Sequence, residues 1–166
     1  MPENRIEDIM KDVLSGAALI NALAFAEYLQ ASDLSVSEVN ANADIQVTYK
    51  NEPMCHVHIK DEKGSQEPWI IWIQGDYSGE SAKTPIDERM KEVAWANVNP
   101  CGNEACGHCS DFEMRRIVFG KEFDNACRYS TFEFVAPNAE TLECVKNRWR
   151  LGKGKCRRSN SSGYSQ

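Results

Sequence analysis

The chain has 166 residues, 42% hydrophobic and 27% charged, with seven cysteines and a formal net charge of −6. That length suits one domain whose core holds without disulfides, and the balance of apolar and charged residues excludes a disordered or fibrous chain. The charge is uneven: six of the 19 Lys and Arg residues lie between Arg148 and Arg158, leaving 13 basic against 25 acidic side chains in residues 1–147. An acidic body excludes a broad nucleic-acid footprint, which needs clustered positive charge. Nucleic acid or anionic lipid could touch only the basic tail, and the Gly/Ser-rich composition of residues 151–166 predicts a disordered, solvated segment there.

Ile6, Ile9, Val13, Ala17, Ile20 and Ala24 recur every three or four residues, which predicts one helix over residues 4–30 with these side chains on a buried stripe. Ser15, Gly16, Asn21 and Glu27 interrupt its apolar stretch Val13–Leu29, so it falls short of a membrane span. Its upstream flank is net acidic, whereas a secretory signal opens with positive charge. The expectation is a cytoplasmic protein with no membrane partner, whose thiols are ligands, redox groups or core fillers. Ser32, Asp33, Ser35, Ser37, Asn40 and Asn42 predict a polar, turn-rich connection.

Strands follow. Ile45, Val47 and Tyr49 alternate with polar residues, Asn51-Glu52-Pro53 predicts a hairpin turn, and Cys55, Val57 and Ile59 alternate in the same way. Trp69-Ile70-Ile71-Trp72-Ile73 is apolar on both faces, as in a central strand covered on each side. Thr84-Pro85-Ile86-Asp87-Glu88 has a cap, a first-position proline and acids in the first turn, predicting a helix to about Asn97. Arg115–Phe119 fits a short strand or a helix end, Ser130–Val135 a strand, and Ala139 to about Trp149 a final helix frayed by Gly152 and Gly154. Together these predict one α+β domain over residues 1–150. It has an antiparallel sheet of four to five strands, an N-terminal, a middle and a C-terminal helix, and a cysteine loop at 99–112.

That loop carries the distinctive chemistry. Cys101-Gly102-Asn103-Glu104-Ala105-Cys106-Gly107-His108-Cys109 places three thiols in a short, glycine-containing segment that can fold tightly round a small centre. Thiolates bind Zn²⁺ in Cys₄ or Cys₃His sets, so one further donor completes a site. The candidates are His108, Cys127 and Cys144; Cys127, after the turn-like Asp124-Asn125, is preferred, giving Cys101, Cys106, Cys109 and Cys127 as the zinc ligands. Two other chemistries use the same residues. Cys-x4-Cys-x2-Cys is the spacing of plant-type [2Fe–2S] centres, although no ferredoxin-like pattern precedes it. Cys106-Gly107-His108-Cys109 is the Cys-Gly-His-Cys of a thiol–disulfide oxidoreductase, with Cys106 as nucleophile and Cys109 as resolving thiol. That reading needs a helix beginning after Cys109, for which Ser110–Val118 is available; it lacks the preceding strand and the aromatic before the first cysteine. In a further reading the thiols are inert and the tryptophan-rich sheet binds a small ligand or partner.

His56 and His58 lie two apart on a predicted strand, so both rings share one face, a geometry that chelates a metal or simply forms a polar edge. Cys55, Cys144, Trp69, Trp72 and Trp95 are predicted to be core residues. No paired carboxylates, phosphate-cradling loop or Ser–His–Asp set is legible; Gly152-Lys153-Gly154-Lys155 lacks the spacing of a phosphate loop.

Ala94-Trp95-Ala96-Asn97-Val98, Cys101-Gly102, the cysteines to Cys109, Phe119-Gly120-Lys121-Glu122-Phe123-Asp124-Asn125, Cys127 and Leu142-Glu143-Cys144-Val145-Lys146 form a signature. In these pieces the chain resembles a family of short, cysteine-rich bacterial proteins common in anaerobes, a resemblance that implies kinship and brings no activity with it. Members follow the third cysteine with Ser-Pro-Gly, where this chain has Ser110-Asp111-Phe112. More loosely, the meander and terminal helix are similar to YjbR-type domains, a compact α+β fold for which nucleic-acid binding is implied; the acidic body argues against that role here.

Overall fold

The computed structural model describes residues 6–40, 44–60, 68–73, 86–100, 115–127 and 130–155. The single helix expected over residues 4–30 is two, α1 (Ile6–Val13) and α2 (Gly16–Ala31). The break lies at Ser15, which is extended, and Gly16, whose φ of +58° is a left-handed conformation that glycine adopts without steric cost. The break also resets the buried face. α1 buries Ile6 and Met10, whereas α2 buries Ala22, Phe25, Ala26 and Leu29, and Ile20, expected on the stripe, is 70% exposed.

The segment expected to be a polar connection contains strand β1 (Ser35–Asn40). It is an edge strand held by backbone pairing to β2 (Asp44–Tyr49), so its side chains need not alternate apolar and polar to keep it in place. β2 turns into β3 (Glu52–Ile59) through Lys50 and Asn51, both at positive φ (50° and 67°). The turn is therefore a two-residue type I′ hairpin, one step earlier than Asn51-Glu52-Pro53. Pro53 falls where the β2–β3 register shifts and before β3 meets its next neighbour, so its missing N–H leaves no ladder bond broken.

β4 (Trp69–Ile73) pairs with β3 on one side and β7 (Phe132–Val135) on the other. Between β4 and β7 the chain makes an excursion through α3 (Glu88–Ala96), β5 (Arg116–Val118) and β6 (Lys121–Phe123) before ending in α4 (Ala139–Lys155). The result is a five-stranded antiparallel sheet, β1-β2-β3-β4-β7, with a separate β5–β6 hairpin: an α+β architecture. α3 begins at Asp87, whose carboxylate accepts the N–H of Arg89 at 2.8 Å; Thr84 and Pro85, expected at the helix start, lie outside the described residues. α4 continues past Gly152 and Gly154, each of which lowers helix propensity by about 1 kcal/mol without blocking the backbone ladder.

One face of the sheet carries the core. Ile45, Val47, Cys55, Val57, Ile59, Trp69, Ile71, Ile73, Phe132 and Phe134 join one cluster with Phe25 and Leu29 of α2, Ala94 of α3, and Leu142 and Val145 of α4. Trp69 is fully buried with its ring 6.0 Å from Phe25, and its indole N–H meets no acceptor among the described residues. Ile70, on the opposite face, is also buried, so β4 is covered on both sides as its composition predicts. Among the described residues no helix is long and apolar enough to cross a membrane.

Candidate functional site

The site is best built from the β5–β6 hairpin. Val118 pairs with Lys121, and the two turn residues between them, Phe119 and Gly120, have φ of 47° and 82°. This is again a type I′ turn, whose first position favours Asn, Asp or Gly. A left-handed phenylalanine costs about 1–2 kcal/mol. Burial of its ring offsets that cost: Phe119 is 6% exposed and stacks on Phe132, with centroids 6.5 Å apart and planes inclined by 14°. From α3, Trp95 donates its Nε1–H to the Val118 carbonyl at 2.8 Å, and the Lys121 ammonium lies 5.1 Å from the Trp95 ring centroid. The hairpin is thereby pinned to α3 on one side and to the sheet on the other.

Beyond the hairpin, Ala126 and Cys127 are buried. The Cys127 N–H donates to the Asn99 carbonyl at 2.8 Å, the Asn99 N–H to Thr131 at 2.9 Å, and the Glu133 N–H to Asn97 at 3.0 Å. With a bridge between Val98 and Phe132, these bonds lay Asn97–Asn99 along the outer edge of β7 and end beside Cys127. Cys127 Sγ accepts the Ser130 N–H at 3.4 Å, the kind of backbone hydrogen bond that stabilises a metal-bound thiolate. At the far end of the cysteine segment, Arg116 pairs with Phe123, and Arg115 Nε lies 3.0 Å from Glu122 Oε1 and 3.8 Å from Asp124 Oδ1. Both chain ends that flank residues 101–114 are therefore fastened to the hairpin and the strand between which Cys127 lies.

Cys101, Cys106, His108 and Cys109 lie outside the described residues. The helix over Ser110–Val118 that the redox reading calls for does not extend to its expected end, because Arg116–Val118 is strand β5, locked by pairing to β6. Cys144 is a core residue: its thiol lies 3.6 Å from the Met90 carbonyl, and it lines a small apolar cavity with Ile86, Ala94, Phe119, Phe132 and Phe134. Cys55 is 2% exposed, and burial pushes its thiol pKa far up, so it is neither a nucleophile nor a ready ligand. Cys55, Cys127 and Cys144 form no disulfide among the described residues. Among the described residues no three His, Cys, Asp or Glu side chains gather as a metal site.

The sheet face away from the core cluster holds a second constellation. The register aligns Gln46, His56, Trp72 and Glu133 in one cross-strand row, and Asp44, His58, Ile70 and Val135 in the next. Asp44 Oδ1 bonds His58 Nδ1, Trp72 Nε1 donates to Glu133 Oε2 at 2.8 Å, and the Trp72 and His58 rings lie 5.8 Å apart. Trp72, expected in the core, is half-buried on this face. Nothing in the sequence marks Asp44 or Glu133, because only the strand register brings them to His58 and Trp72. Comparison with protein-family models, with curated proteins and with solved structures finds no match to this chain.

Proposed function

We propose that the protein is a small, non-catalytic metal-binding module in which Cys101, Cys106, Cys109 and Cys127 hold one Zn²⁺. The observation that carries this reading is the 2.8 Å bond from the Cys127 N–H to the Asn99 carbonyl. Cys101 follows Asn99 by two residues, so covalent geometry alone keeps its Cα within about 7 Å of the Asn99 Cα. A cysteine distant in sequence thus stands at the entrance of the segment that supplies the other three thiols. The Ser130 N–H donates to Cys127 Sγ, as backbone amides do to metal-ligating sulfur, and Cys127 forms no disulfide among the described residues. Four thiolates form a closed tetrahedral set with no open position for substrate, which makes the centre a structural staple. Such a site belongs in a reducing compartment, and we assign the protein to the cytoplasm on that ground.

The test is metal content and an absorption spectrum on protein purified anaerobically without added metal, with Cys127→Ser and Cys144→Ser alongside. One equivalent of zinc and no visible colour is expected for the wild type and for Cys144→Ser, and weakened zinc retention for Cys127→Ser. Full zinc retention by Cys127→Ser would overturn the ligand set. A metal-free wild type in which all seven thiols titrate would overturn the centre itself. Iron, sulfide and a brown colour would overturn zinc in favour of an iron–sulfur cluster on the same thiolates.

A further inference from the structure

We propose that His56 and His58 form a second, exchangeable site for a divalent transition-metal ion of the nickel, copper and zinc group, on the sheet face away from the helices. This site does not rest on the thiolate centre. Both residues lie in β3 two positions apart, and their neighbours Cys55, Val57 and Ile59 are buried on the core side. The two imidazoles therefore project from the same side of one rigid strand.

What distinguishes the pair from an ordinary polar edge is the setting of His58. Its Nδ1 is engaged by the Asp44 carboxylate, directly opposite on β2. With Nδ1–H donated to a carboxylate, the lone pair sits on Nε2 and the ring is held in one orientation; this is the carboxylate–histidine arrangement common behind metal ligands. Trp72, opposite His56 in register, lays its ring against His58 and is itself held by Glu133, so the imidazole is restrained on two sides. His56 is exposed and has no partner among the described residues, leaving its ring free to close a chelate. The carboxylates of Asp44 and Glu133 add negative potential where a cation would sit. Neutral imidazole suits nickel, copper and zinc, and two protein ligands leave the remaining positions to water, so the ion exchanges readily.

Protein preloaded with one equivalent of Zn²⁺ is titrated with Ni²⁺, followed by calorimetry, tryptophan emission and near-ultraviolet absorption. The expected result is one saturable Ni²⁺ site that quenches tryptophan emission and gives no thiolate-to-nickel absorption band. His56→Gln and His58→Gln should each abolish saturation, and Asp44→Asn should weaken binding by about ten-fold or more while both histidines remain. His56 is exposed, so His56→Gln keeps the fold, which a thermal melt verifies. Absence of saturable binding, binding that survives both histidine variants, or Ni²⁺ uptake marked by a thiolate band would each overturn the site. An unchanged affinity in Asp44→Asn would overturn the role given to the carboxylate.

Discussion

Phe119 offers the sharpest test of how the hairpin is held. Its ring is buried against Phe132, and deleting a buried phenyl ring costs about 3–5 kcal/mol, so Phe119→Ala and Phe119→Gly should both be destabilised by roughly that amount. The informative quantity is the difference between them. At an ordinary position glycine is about 0.5–1 kcal/mol worse than alanine because it has more backbone freedom to lose. At Phe119 the φ of 47° penalises any Cβ by about 1–2 kcal/mol, a penalty glycine escapes. The order should therefore invert, with Phe119→Gly more stable than Phe119→Ala by about 1 kcal/mol, the net of those two terms. Urea unfolding followed by tryptophan fluorescence measures both variants, compared through midpoints at equal slope. The normal order, glycine below alanine, would refute the left-handed turn; a loss under about 1 kcal/mol in both would refute the buried anchor.

Two further predictions concern stability. Lys50 occupies the first position of the β2–β3 type I′ turn with φ of 50°, so Lys50→Asn should stabilise the protein by about 0.5–1 kcal/mol and raise the melting temperature by a few degrees in a thermal scan. Cys55 supplies a pH dependence: burial keeps its thiol protonated in the fold, whereas the unfolded chain releases that proton above the ordinary thiol pKa. The native state then binds more protons than the unfolded one, so stability falls as pH rises past that value, by about 1.4 kcal/mol per pH unit. Urea titrations between pH 7 and about 10 should show Cys55→Ala losing stability less steeply than wild type; parallel curves would remove this contribution.

The sequence conveys elements whose burial pattern is local. β2, β3 and β4 are legible because Ile45, Val47, Cys55, Val57 and Ile59 alternate and Trp69–Ile73 is apolar throughout, and all of these residues but the half-buried Trp72 are buried. β1 is not legible, since Ser35, Val36 and Ser37 are exposed and backbone pairing to β2 holds the strand at an edge. The break at Gly16 is hidden within a helical periodicity that continues on both sides of it. Phe119-Gly120 escapes recognition as a turn because phenylalanine is a poor type I′ residue, and only a tertiary contact, its stacking on Phe132, makes it tolerable. At the candidate sites, the turn-like Asp124-Asn125 points to Cys127, but what positions it is pairing with Asn99, which depends on the whole excursion between β4 and β7. The Asp44–His58 pair likewise depends on a register between two strands that no single-strand pattern encodes.

The short run Asn97–Asn99 has a consequence for solubility. Without it, β7 would present the free edge of Phe-Glu-Phe-Val, an apolar strand whose open N–H and C=O groups invite a strand from another chain. The opposite edge needs no such cover, because β1 is largely polar and its pairing is irregular between Glu38 and Asn40. Asn97–Asn99 runs directly into the cysteine segment, so whatever loosens that segment also uncovers β7. The first sign of damage there would be self-association of a chain whose core is still folded.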